Sequence, residues 1–276
     1  MPEPDLSLLI DAARAAGEIA CSYTGPEARR WDKPAGAGPV TEADIAVNDM
    51  LEERLRAARP DYGWLSEETE DNSDRLDRDR VFIVDPIDGT RGFAEGDKSW
   101  AHALAVVEHG EVTAAVIYLP MHDLLYSAER GAGAQLNGAA ITASENRDLD
   151  RAEILATRPN LEAKHWRKGA VPQFRRAYRP SLAYRMALVA QGRYDGMLTL
   201  RPSWEWDIAA GDLILQEAGA ICTDRRGAPL RFNNPRPQVN GVIAAGRSLH
   251  ERLSAALEPR DPDIAPALVL PNDPAA

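Results

Sequence analysis

The stretch Val81-Phe82-Ile83-Val84-Asp85-Pro86-Ile87-Asp88-Gly89-Thr90 limits what this chain can fold into more than any other. Four consecutive apolar residues read as a buried strand. The run ends in a carboxylate, and Pro86 pushes Asp85 out of helical geometry while fixing its own φ. Asp88 follows three positions on, and Gly89 lets the backbone come close to a ligand. One strand thus delivers two acids to one tight turn. A helix opening at Gly89-Thr90 would turn its free N–H groups toward the same space, where they can hold a phosphate oxygen. Hard divalent cations take oxygen ligands, so the expectation is a divalent-metal phosphate site. The plainer reading is a turn with a helix cap. Two acids three apart, in a chain with 43 acidic residues, do not by themselves exclude it.

At 276 residues the chain can bury a sizeable core, as one large domain or two closely packed halves. Its 32 basic residues leave a net charge of −11, a field that disfavours nucleic-acid polymers and anionic membranes as partners. A small anionic substrate would need local positive charge, which bound metal can supply. Cys21 and Cys222 show no metal-ligand spacing and read as buried free thiols of a reducing compartment. No run is long enough to span a bilayer and the N-terminus has no basic leader, so the expected location is the cytoplasm, without stable membrane insertion.

Residues 6 to 23 carry a one-face apolar stripe of Leu6, Leu9, Ile10, Ala13, Ala16 and Ala20, with Asp5 as the expected N-cap. A Gly/Pro-rich loop or irregular hairpin containing Lys33 follows. Thr41 opens a second helix in the manner of a capping box, and Asp44 falls in its first turn, where a carboxylate suits the helix dipole. Locally, capping is the favoured role of Asp44. A short strand from Tyr62 to Ser66 runs into Glu67, which ends a strand just as Asp85 does, so the two acids can converge. Residues 70 to 79 read as a solvated face. Strands at Trp100–Val107, Val112–Leu119 and Leu124–Ala128, then an Asn137-Gly138 hairpin turn, close a first, α+β half at residues 1–150. Residues 151–258 alternate strands with helices at Ser181–Gln191, Trp206–Ala218 and Leu249–Leu257, an α/β half that completes the site. Residues 259–276, with five prolines, read as a disordered tail.

Four segments together carry a resemblance: DPIDGT at 85–90, SEE at 66–68, VTEAD at 40–44 and WDIAAG at 206–211. In order and spacing they are similar to the signatures of the inositol monophosphatase superfamily, over roughly residues 6 to 250. The resemblance implies a layered αβαβα sandwich of the sugar-phosphatase type, of mixed α+β and α/β character. It also implies a phosphomonoesterase using two or three Mg²⁺ ions, typically lithium-sensitive. Carried over, Glu67, Asp85 and the Ile87 carbonyl become ligands of a first metal, and Asp85, Asp88 and Asp207 of a second. Glu67 would also hold a third ion through waters. Thr90 and Asp44 would orient and deprotonate the attacking water, so the catalytic set is Asp44, Glu67 and Thr90. The Gly89 and Thr90 amides would hold the phosphate. Lys33 corresponds to a lysine the family keeps near the active site. Family members often dimerise, so the resemblance leaves a homodimer open, although no segment carries an interface signature.

Physical chemistry points the same way: paired ions clamp the attacking and leaving oxygens, and phosphoryl transfer asks mainly for positioning and charge neutralisation. No covalent nucleophile is needed, and Cys222 and the five histidines show no evident partners. The inositol-specific branch usually has a glutamate seven positions before the Asp of its WD motif; here Leu200 stands there, and Glu205 is out of register. Arg91 after the threonine and Pro180-Ser181-Leu182-Ala183 look more like the bacterial 3′(2′),5′-bisphosphate nucleotidase branch, the CysQ-like proteins. Arg158, Arg179, Arg185 and Arg201 would suit a second phosphate, because guanidinium forks match phosphate oxygens. The expected small phosphorylated substrate is therefore adenosine 3′,5′-bisphosphate. An inositol or other sugar monophosphatase and a catalytically silent metal- or phosphate-binding regulator are the alternatives.

Overall fold

The computed structural model describes residues 3–23, 29–33 and 38–259. The tail expected at 259–276 lies beyond them apart from Pro259. Helix α1 (Asp5–Ser22) begins one residue earlier than expected, with Pro4 rather than Asp5 as N-cap. The Asp5 carboxylate is engaged elsewhere, accepting from Arg59 Nε at 2.9 Å and Tyr62 Oη at 3.0 Å. Strands β1 (Arg30–Asp32) and β2 (Pro39–Thr41) pair antiparallel, as the irregular hairpin required, and lead into helix α2 (Glu42–Ala58).

Seven strands form the first sheet in chain order: β3 (Gly63–Ser66), β4 (Arg80–Asp88), β5 (Ala101–Glu108), β6 (Glu111–Leu119), β7 (Leu124–Glu129), β8 (Ala134–Leu136) and β9 (Ala139–Ala140). β3 and β4 run parallel and the remaining neighbours antiparallel. Asn137 (φ 49°) and Gly138 (φ 80°) make the tight turn between β8 and β9, where both central residues need positive φ. β4 shows why its apolar run is continuous. Phe82 and Val84 pack with α1 and α2 on one face, and Val81 and Ile83 face a second core on the other.

Helix α3 (Thr90–Ala94) is a short turn after β4. The second sheet orders its strands β11 (Arg175–Ala177), β10 (Glu153–Leu155), β12 (Gly196–Thr199), β16 (Val242–Gly246) and β14 (Ala220–Thr223). Helices α4 (Leu182–Ala190) and α5 (Glu205–Glu217) share one core with both sheets. Helix α6 (Arg247–Ala256) packs on the outer face with Trp166, Ile243 and Ala245. Two more strands, β13 (Ser203–Trp204) and β15 (Gln238–Val239), pair just before α5. The layers read α1/α2, sheet, α4/α5, sheet, α6, which is the expected αβαβα sandwich.

One segment departs from the reading as a solvated face. Within 70–79 a short 3-10 turn (Ser73–Asp77) drives Arg75 inward to 3% exposure. Its guanidinium donates to both carboxylate oxygens of Asp71, to Asn233 Oδ1 at 2.6 Å and to the Asn234 carbonyl at 2.9 Å. A buried guanidinium is tolerable only when its donors are met in this way.

Candidate active site

Strand β4 ends in a bulge. Asp85 pairs with Ala103 and Asp88 with Ala101, so three steps on β4 oppose two on β5. Pro86, which cannot donate to a ladder, sits where the ladder is broken. The bulge leaves two carbonyls to be satisfied by side chains. Buried His102 on β5 meets the Pro86 carbonyl through Nδ1, and Thr90 Oγ1 lies 3.0 Å from the Ile87 carbonyl. Burial pushes His102 down to about 4, so the ring is neutral near pH 7; a carbonyl only accepts, hence Nδ1 carries the proton. This partner was not visible in the sequence, where the histidines stood alone.

Parallel pairing of β3 with β4 carries Glu67 to the end of β3, its amide donating to the Val84 carbonyl at 3.3 Å. Glu67 therefore ends beside Asp85. Asp207, in the first turn of α5, comes in from the other side. One carboxylate oxygen from each of Glu67, Asp85 and Asp207 falls within 4.8 Å of the others. Burial, and then mutual repulsion, raises Asp85 and Asp207 well above the usual carboxylate range. Asp85 Oδ1 is buried without a hydrogen-bond partner among the described residues. Crowded, desolvated acids with an orphaned oxygen fit a hard divalent cation, which would relieve both the repulsion and the missing partner.

Asp88 lines the same cleft but stands outside that close trio. Its Oδ2 accepts from Ser181 Oγ and the Ala183 amide, both at 2.6 Å. Burial nonetheless lifts it to about 6. Ser181 is the N-cap of α4, its Oγ also accepting from the Tyr184 amide at 2.9 Å. In the sequence Ser181 was placed at the first position of this helix, one residue inside its cap, and its bond to Asp88 was not visible there. Gly89 takes φ 102° and ψ 30°, a left-handed geometry that an L side chain would strain, and serves as N-cap of α3.

Asp44 caps α2 with one carboxylate oxygen and meets Thr90 with the other. Its Oδ2 accepts from Thr41 N at 2.8 Å and Thr41 Oγ1 at 2.5 Å, closing the capping box of α2. Its Oδ1 lies 3.0 Å from Thr90 Oγ1. Burial raises its pKa, against the pull of those donors. Lys33 reaches Glu67 Oε1 at 2.8 Å and Glu68 Oε1 at 2.7 Å, so it does sit at this cluster.

The acids open onto a cleft of about 1240 Å³ whose lining also includes Arg91, Arg179, Arg185 and Arg201. The arginines divide. Arg185, expected to bind substrate, spends its guanidinium on the Arg179 and Pro180 carbonyls and stacks over Tyr178 at 4.8 Å. Arg179 donates to Tyr194 Oη at 2.9 Å. The exposed side chains of Arg91 and Arg201 make no hydrogen bond or ion pair among the described residues. Arg158 is exposed and does not line the cleft, although Thr157 and Pro159 do. Leu200 is core. Glu205 is fully buried, its carboxylate accepting from the Asn233 amide and from both nitrogens of Asn234 at 2.6–3.0 Å. It clamps the start of α5 and is not part of the cleft wall.

A layered αβαβα sandwich carrying an acid trio at the ends of two parallel strands and one helix defines the class of metal-assisted phosphate chemistry. The chain belongs to the inositol monophosphatase family, whose profile matches residues 1–261. It is 36% identical to the Nus factor SuhB of Escherichia coli over 275 residues, covering 92% of this chain and 99% of that protein. The inositol-1-monophosphatase of Rhizobium meliloti is 34% identical over 268 residues, covering 91% and 94%. Among solved structures, the Thermotoga maritima IMPase superposes with a TM-score of 0.78 at 30% identity, covering 91% of this chain and 95% of that one. SuhB from Bartonella henselae gives 0.76 at 30%, covering 90% and 96%. The chain is a metal-dependent phosphomonoesterase acting on small phosphorylated substrates. No helix among the described residues is long and apolar enough to cross a membrane.

Proposed function

We propose that the chain is a Mg²⁺-dependent 3′(2′),5′-bisphosphate nucleotidase that releases the 3′-phosphate of adenosine 3′,5′-bisphosphate to leave AMP. The observation that carries this reading is the cleft wall. The Arg91 and Arg201 side chains stand there without a hydrogen-bond partner among the described residues, Leu200 offers no carboxylate for a ring hydroxyl, and Glu205 is engaged with Asn233 and Asn234. Free guanidinium groups facing an acid cluster suit a substrate with a second phosphate.

Glu67, Asp85, Asp88, Asp207 and the Ile87 carbonyl would hold two or three Mg²⁺ ions, which when bound neutralise phosphate charge and acidify a water. The single proton of Thr90 serves either the Ile87 carbonyl or Asp44 Oδ1. With the Ile87 carbonyl given to a cation, that proton goes to Asp44. Thr90 Oγ1 then accepts a proton from the attacking water as it passes its own to Asp44 Oδ1. Burial makes Asp44 a better base than an exposed aspartate, which suits this relay. Gly89 and Thr90 amides hold the phosphate oxygens, and the departing 3′-oxygen takes its proton from solvent.

A second reading is favoured by the names of the relatives: hydrolysis of inositol 1-phosphate. Phosphate release from adenosine 3′,5′-bisphosphate and inositol 1-phosphate, with and without Mg²⁺, decides between them. Higher kcat/KM for the nucleotide is expected. Preference for inositol 1-phosphate overturns the nucleotidase reading, and absence of turnover with metal bound favours a silent binding protein.

A further inference from the structure

Trp204 is 40% exposed, in a chain whose large apolar side chains are otherwise mostly buried. Its ring lies parallel to that of Trp206, with centroids 4.7 Å apart and planes 9° from one another. Both line the cleft that holds Glu67, Asp85, Asp88 and Asp207, and Trp206 immediately precedes Asp207.

Core aromatics here meet tilted or edge-on, as Phe93 and Trp100 do at 84°, whereas Trp204 presents a flat, backed surface to solvent. The surface is also held still. Trp204 pairs with Gln238 in the β13–β15 ladder, and the next residue, Glu205, is fixed by Asn233, Asn234 and the Pro237 carbonyl. A ring immobilised before binding loses little entropy when a ligand stacks on it.

We propose that Trp204, backed by Trp206, is the platform on which the aromatic base of the substrate stacks. It thereby selects nucleotides over polyol phosphates. Every base has a π face, and stacking on an aromatic side chain is a recurrent, sequence-tolerant mode of holding one. Exposed Arg201, three positions earlier on the same wall, would take the second phosphate. This inference rests on the nucleotidase reading and adds to it the residue that discriminates.

The test compares wild type, Trp204→Leu and Trp204→Phe with Mg²⁺. Its readouts are the ratio of kcat/KM for adenosine 3′,5′-bisphosphate to that for inositol 1-phosphate, and the calorimetric Kd of the product AMP. The leucine variant is expected to lower the ratio and weaken AMP binding by about tenfold each, and phenylalanine to restore both to within about twofold. If wild type prefers the nucleotide but the leucine variant keeps its ratio and its AMP affinity, the platform is overturned and the nucleotidase reading stands. Equal loss on both substrates, with AMP affinity unchanged, also overturns the platform, because Trp204 would then be structural. If wild type turns over only inositol 1-phosphate and does not bind AMP, both ideas fall together.

Discussion

At the scale of single residues, carboxylates in this site carry two jobs at once. Asp44 caps α2 through one oxygen and meets Thr90 through the other. Asp88 anchors the start of α4 through Oδ2 while lining the acid cleft. An amide at Asp88 keeps an acceptor for Ser181 but loses the charge that metal binding needs. Asp88→Asn should therefore cut kcat by at least about a hundredfold while its circular-dichroism melt stays near wild type. Near-normal turnover would reduce Asp88 to an anchor for α4. The acids were legible because each stands at a strand end or in the first turn of a helix, where local pattern gives both the residue and its direction. Ser181 and His102 were not legible in their contacts. Ser181 reaches across 93 positions to Asp88, and His102 is recognised only once β5 lies against the bulge. Local spacing carries no information about such partners.

At the scale of elements, polar groups buried between segments set how firmly the elements hold. Arg75 ties the 3-10 turn at Ser73–Asp77 to the loop that clamps Glu205 and hence the start of α5. Arg75→Met should destabilise the fold by about 2–3 kcal/mol in urea titrations, because the Asn233 and Asn234 oxygens lose their donors. An unchanged midpoint would mean that water replaces the guanidinium. The charge density of residues 70–79 pointed outward, and only the partner at position 233 reveals why one arginine turns in.

Asp212 in α5 offers a pH-dependent counterpart. It is 3% exposed, accepts from Gln216 at 2.7 Å, and is raised by burial from 3.8 to about 6. The folded state then binds more protons than the unfolded one between those values. Its contribution to stability is fully present below about 4 and lost as pH rises through about 6. Asp212→Asn removes that dependence, so the variant should gain on wild type by about 2–3 kcal/mol between pH 4 and pH 8. A difference that does not vary with pH would show that Asp212 titrates normally.

At the scale of the whole molecule, the acid trio draws Glu67 and Asp85 from the first sheet and Asp207 from the helical layer shared with the second. A cation bound there joins layers that otherwise repel at that point. Saturating Mg²⁺ should raise the thermal midpoint by about 5–10 °C over the chelated protein, the shift expected at about a hundred times Kd for a chain of this size. No shift would mean that the acids do not bind the ion. The elements were legible because period-two and helical patterns, a capping box and an Asn-Gly turn all agreed, whereas their stacking into layers was implied only by the family resemblance. What the pattern did not show is that α4 and α5 serve both sheets. Their near-continuous apolar sequence says only that they are surrounded.

The bulge at the end of β4 has a consequence for which changes the chain tolerates. Three positions on β4 stand against two on β5, so removing any one residue between Asp85 and Asp88 would restore an even ladder. The repaired strand would pair better and its acids, then two positions apart, would share one face, but the carbonyls that the bulge frees from the ladder would be drawn back into it. The number of residues in this turn is thus more stringent than the identity of its middle two. A chain that lost one would become a more regular sheet with no site.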